Sequence, residues 1–212
     1  MRGILALALG CCWWGWALLP MQAQVTGDER LAVPAAEALT AAEAQIKELY
    51  RAQYADRTPE GQATLAQRLL RVSREPGNDA AQRFVLLREA RDLATAAGEP
   101  DLVGTAVELL ARRYAVSSLE MRQAAAIQLA RNVRTPEQNR DLVEFCVGIM
   151  DEAMASDDYE GAARVSSFIS AAAGKSRNNA VAALSRNKLA QLAAARREFA
   201  RLKPMLDALA QN

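Results

Sequence analysis

Apolar residues recur every three or four positions along most of the chain, the period of one buried helical face, and no strand-like alternation is present. A first stripe carries Leu39, Ile46, Leu49 and Tyr50. Pro34 suits the first turn of that helix, which should run to about Ala55. Thr58-Pro59-Glu60 is a start signal, with Thr58 capping and Pro59 in the first helical position. This second helix carries Leu65, Leu69, Leu70 and Val72 as far as Arg74, and Glu75-Pro76-Gly77-Asn78 stops it. Asn78 is the expected cap of a third helix, through Phe84, Leu86, Leu87, Ala90, Leu93 and Ala94 to Gly98. Pro100 opens a fourth, Ser117-Ser118 caps a fifth, and Thr135-Pro136-Glu137 repeats the start signal for a sixth. Ser156-Asp157-Asp158 divides the sixth from a seventh, and Gly174 to Asn178 precedes a long last helix.

The pattern predicts an all-α protein of seven to eight antiparallel helices. Links this short force neighbouring helices to run antiparallel, so the unit is a hairpin of tetratricopeptide-like type. The segments 88–100 and 149–159 both place small alanines before an acidic turn, as paired helices need for close approach. In the last helix, Leu192, Ala195, Phe199, Leu202, Leu206 and Leu209 form a seam at spacings of three and four. It is expected to cap the stack of a monomer, with a homodimer through the same seam as the alternative. Residues 34–212 form one domain.

The N-terminus reads differently. Arg2 is followed by an apolar run from Gly3 to Leu19 and then by Pro20-Met21-Gln22-Ala23-Gln24, the layout of a secretory signal. Residues 1–23 are expected to be cleaved after Ala23 and to deliver the chain to the periplasm or the medium. The alternatives are a membrane anchor through residues 3–21 and a lipid on Cys11, although Ala8-Leu9-Gly10-Cys11 is a poor lipidation motif. Residues 24–33 read as a flexible leader. Cleavage would remove Trp13, Trp14, Trp16, Cys11 and Cys12, leaving Cys146 as a single thiol in an apolar helical run. That thiol reads as a small buried hydrophobe, with no base or cation adjacent to activate it.

Composition narrows the chemistry. About a fifth of the residues are alanine, the best helix former. The chain has no histidine, which excludes an imidazole triad, a His-ligated metal and a His-based pH switch. Its 26 basic and 25 acidic residues give a net charge of +1, so no global field draws it to nucleic acid. No phosphate loop or nucleophile elbow is present, and no carboxylate pair stands out as acid and base. The expectation is a protein that is not an enzyme, with no cofactor and no metal.

The runs 46–55 and 83–94, above all Phe84 to Leu93, resemble an α-helical region of secreted planctomycete proteins of unknown function. The resemblance extends over residues 40–209. It implies a helical module that elsewhere precedes a further domain, such as a carbohydrate-binding one. This chain ends soon after Leu202-Lys203-Pro204-Met205-Leu206, where such proteins continue.

Three clusters are candidates for chemistry. Arg83, Arg88 and Arg91, with Glu89 and Asp92, either form a salt-bridged helix face, Arg88 pairing with Asp92 one turn on, or grip a peptide carboxylate with arginine forks. Asp151, Glu152, Asp157, Asp158 and Glu160 lack the spacing of a calcium loop and suit helix capping instead. Arg196, Arg197, Arg201 and Lys203 form a basic strip whose only aromatic neighbour is Phe199, too little for base stacking. The leading functional expectation is a non-catalytic exported module that binds a protein or peptide. The alternatives are an accessory region of an envelope enzyme encoded separately and a structural envelope component.

Overall fold

The computed structural model describes residues 30–210, and the signal-like segment 1–23 lies outside the described residues. Among these residues the chain forms nine helices and no strand. They are α1 (Ala36–Leu49), α2 (Arg51–Ala55), α3 (Pro59–Val72), α4 (Ala80–Ala97), α5 (Pro100–Arg113), α6 (Ser118–Asn132), α7 (Pro136–Ala155), α8 (Tyr159–Lys175) and α9 (Asn179–Ala210).

The expected hairpin stack is present. From α3 onward each helix packs on the next and on the next but one, so α4, α6 and α8 form one layer and α3, α5, α7 and α9 the other. α1 lies on α4, and α2 on α3. Alanines make this close packing possible: Ala66, Ala90, Ala94, Ala106, Ala126, Ala153 and Ala162 are fully buried between helices. Around them sit Leu65, Leu69, Val85, Leu110, Leu129, Leu142, Ile149 and Ile169, each 2% exposed or less. Burying one such side chain contributes about 1.5–3 kcal/mol relative to leaving it in water. Two clusters make up the core, one around α1, α3, α4 and α5, the other running from Ala66 of α3 to α9, and Leu93, Leu102 and Met121 touch both.

The caps follow local chemistry. Thr58 and Thr135 accept from the backbones of Gly61 and Gln138, and Pro59, Pro100 and Pro136 occupy first helical turns. Thr135 and Gln138 complete a reciprocal capping box. Ser117 caps α6 by accepting from Glu120 N–H. At α4 the structure corrects the expected cap. Asp79, not Asn78, forms the box with Gln82, while the Asn78 amide donates back to the carbonyls of Val72 and Glu75. A carboxylate has acceptors only, so Asp79 takes the orphan N–H, and the amide closes the turn before it.

Two helix turns repeat one geometry. Gly98 is left-handed at φ 76°, and Glu99 N–H returns to Ala94 O at 2.9 Å. Asp157 is left-handed at φ 57°, and Asp158 N–H returns to Ala153 O at 2.8 Å. Glycine and aspartate tolerate this conformation for different reasons, one for want of a Cβ and the other through its short polar side chain.

The first helix departs from expectation. It starts at Ala36 rather than at Pro34 and breaks at Tyr50, so α1 and α2 are separate. Leu49 is 74% exposed, because only α4 covers α1 and the covered stripe holds Ala42, Ile46 and Tyr50. Within the leader, residues 24–29 lie outside the described residues. Leu31 is held on both sides, donating to Arg113 O and accepting from Ala115 N–H at 2.8 Å each.

α9 caps the stack over part of its length only. Val181, Ser185, Lys188 and Leu192 are buried, and Phe199 stacks on Tyr159 with centroids 4.7 Å apart. Beyond that contact Leu202, Met205 and Leu209 are exposed. The helix continues through Pro204 to Ala210. Among the described residues no helix is long and apolar enough to cross a membrane.

Candidate functional site

The helix stack sends the three candidate arginines in three directions. Arg88 points at α1, where its guanidinium meets Glu43 Oε2 at 2.6 Å and Glu89 Oε1 at 3.6 Å. Glu43 also pairs with Lys47, and Tyr54 donates to Glu89 at 3.0 Å. Burial first, then the Glu89 carboxylate, pushes the Tyr54 phenol far above its ordinary value. Arg88 is therefore the centre of a closed network that ties α1 and α2 to α4. Its expected partner Asp92 is instead taken by Arg91 at 2.7 Å, because the inter-helix carboxylate lies closer to Arg88 than the next turn does.

Arg91 lies in an open groove of about 440 Å³ between α4 and α6. Asp92 and Thr95 line it from α4, and Glu120, Met121, Ala124, Ala125 and Gln128 from α6. The small side chains of Ala124 and Ala125 let a polypeptide backbone come close. The rim offers it both charged donors and carboxylate or amide acceptors. Thr95 is already committed, its hydroxyl donating to Arg91 O at 2.8 Å.

Arg83 lies elsewhere, at the end of the stack where α3 finishes, α4 begins and α5 finishes. Its Nε donates to Ser73 O at 2.8 Å and its Nη2 to Glu75 O at 3.0 Å, satisfying carbonyls that the end of α3 leaves open. Arg74, Arg112 and Arg113 surround the same cleft of about 340 Å³, over Leu87 and Leu109. Sequence reading misses this cluster. Its members are scattered from 74 to 113, and only the antiparallel return of α4 and α5 brings them to one end. The available signal is basic residues at the C-terminal ends of two helices flanking a helix with a basic first turn.

The acidic cluster disperses into structural roles. Asp151 holds the buried Lys188 at 2.6 Å, Glu152 pairs with Arg122, and Glu160 meets Arg196 at 3.2 Å. Asp158 caps α8, accepting from Gly161 N–H and from Gln123 Nε2 at 2.8 Å each. Those two bonds, Gln123's first, hold its carboxyl below the ordinary value of 3.8. A folded-state pKa below the unfolded one contributes stability above the unfolded value, and the contribution is lost as pH falls through the folded value. Asp158→Asn keeps a capping oxygen but not the titration. Its urea midpoint should therefore fall less than the parent's between about pH 5 and about pH 2. Parallel curves for the two proteins would remove this role.

In the basic strip, Arg201 pairs with Glu198 and Lys203 with Asp207 along α9. Cys146 is fully buried in α7, and burial pushes its thiol up to about 12, so the thiolate needed for nucleophilic chemistry is not formed at neutral pH. Comparison with protein-family models, curated proteins and solved structures finds no match. The planctomycete resemblance rests on the quoted residues alone.

Proposed function

We propose that this chain is a non-catalytic, exported helical-repeat module that binds another protein through the groove between α4 and α6. The groove carries the reading. It is lined by two alanines, Met121, several polar side chains and Arg91 as an anchoring cation, and it lies on the layer formed by α4, α6 and α8. Stacked helical hairpins present extended surfaces of this kind, and segments bound there are held by backbone and side-chain hydrogen bonds as well as by apolar contact. The signal-like residues 1–23 support an exported location.

The test is site-specific photo-crosslinking in the native cell. A photoreactive residue at the exposed groove position 124 should yield one discrete adduct with another polypeptide. The same residue at position 144, exposed on the opposite layer in α7, should not. Equal labelling from both positions, or none from either, would end the groove reading.

A further inference from the structure

The structure assigns a second binding feature: the arginine cleft at the α3–α4–α5 end takes an acidic polypeptide segment whose carboxylates are interleaved with aliphatic side chains. This extends the interaction reading to the chemistry of a partner, and it rests on that reading for the partner being a polypeptide. Four guanidiniums, of Arg74, Arg83, Arg112 and Arg113, surround one cleft that no acidic residue lines. Elsewhere among the described residues Arg51, Arg88, Arg91, Arg122, Arg140, Arg196 and Arg201 each meet a carboxylate, while others such as Arg71, Arg131 and Arg164 do not; the cleft is set apart by gathering four arginines on one lining.

Among the described residues, Arg74, Arg83 and Arg113 have no carboxylate within ion-pair distance. Arg112 has only Glu108, in a pair about two-thirds exposed on both sides, which water and salt weaken and which a ligand displaces at little cost. The chain as a whole is near neutral, so this concentration of positive charge is local. Like charges gathered at one place repel, and an incoming carboxylate relieves that repulsion.

The geometry also selects the kind of anion. Arginine forks match the planar carboxylate and bind it through two parallel hydrogen bonds. Buried Leu87 and half-buried Leu109 form an apolar floor, which a free inorganic anion leaves unused and an aliphatic side chain covers. Arg83 is anchored on two carbonyls and so is a fixed wall of the cleft. Arg74, Arg112 and Arg113 are exposed, so their long side chains meet a ligand from the solvent side, Arg112 by giving up Glu108.

The experiment is fluorescence anisotropy of the purified full chain with a fluorescein-labelled peptide of sequence Glu-Leu-Asp-Leu-Glu-Leu-amide. Saturable binding that weakens with added salt is expected. The Gln-Leu-Asn-Leu-Gln-Leu counterpart should bind at least tenfold more weakly. The double variant Arg74→Gln/Arg112→Gln alters two exposed side chains and should retain the parent's circular dichroism while losing at least tenfold in affinity. Arg196→Gln/Arg197→Gln on α9 should bind as the parent does. No binding of the acidic peptide, or equal loss in both double variants, would overturn the proposal. So would displacement by inorganic phosphate at the same concentration as by unlabelled peptide, which would make the cleft a simple ion site. Crosslinking from position 124 is expected to persist in Arg74→Gln/Arg112→Gln, so failure of the cleft and failure of the groove are separately visible.

Discussion

Tyr114→Ala should destabilise the fold by about 3–5 kcal/mol, the range for removing a large aromatic from a packed core. Tyr114 ends α5 and is fully buried, with its ring edge-on to Phe84 at a centroid distance of 5.0 Å and its hydroxyl donating to Ala80 O at 2.7 Å. It thus joins the end of α5 to the beginning of α4. It also sits between Arg113 and Ala115, the two residues whose backbones hold Leu31. Tyr114→Phe keeps the ring and loses only the hydroxyl bond, so its cost should be about 1 kcal/mol. Urea unfolding of the two variants separates packing from hydrogen bonding. Limited proteolysis near residue 31 should quicken in the alanine variant only. Equal stability of the two variants would mean that the hydroxyl, not the ring, holds this corner.

Gly98→Ala is expected to cost at least about 2 kcal/mol, from the left-handed backbone and a forced shift together. At φ 76°, an added Cβ would stand 2.9 Å from Asn132 O and 3.2 Å from Val133 Cα, so backbone rather than a pliable side chain must give way. The same turn is bolted from the other side, since Asn132 Nδ2 donates to Thr95 O at 2.8 Å. Gly148→Ala provides the contrast. Gly148 lies exposed inside α7 with nothing within 4 Å of a built Cβ, so alanine there should stabilise by about 0.5–1 kcal/mol. Thermal unfolding of the two variants should move in opposite directions. A Gly98→Ala protein that melts with the parent would show that the α4–α5 and α6–α7 turns are not in the contact described.

Local chemistry made much of this protein legible from its residues. Helix starts at Thr58, Ser117 and Thr135 depend on a side-chain hydroxyl that accepts the backbone N–H three positions on, helped at Thr58 and Thr135 by a proline in the first helical position. The turns at Gly98 and Asp157 depend likewise on a residue that accepts positive φ. The stacking followed because links of a few residues leave helices no orientation but antiparallel. Asn78 and Asp79 show how far such reasoning reaches. Both are capping residues, and which of them caps is decided by the Val72–Glu75 turn that the asparagine closes.

What the residues alone left open is how the faces of separate helices are phased against one another. Arg88 and Arg83 are five positions apart on one helix, yet the first is committed to α1 and the second to the end of α3. Arg74 and Arg112 are far apart in the chain and share a cleft. The apolar seam of α9 is continuous in sequence, but Phe199 meets Tyr159 while Leu202 and Leu209 are exposed. Capping and periodicity are set within one or two helical turns, so the sequence by itself determines them. Pairing and exposure depend on the rotation and offset between packed helices, and those arise only when the alanine-lined cores close together and decide which charges face each other and which face water.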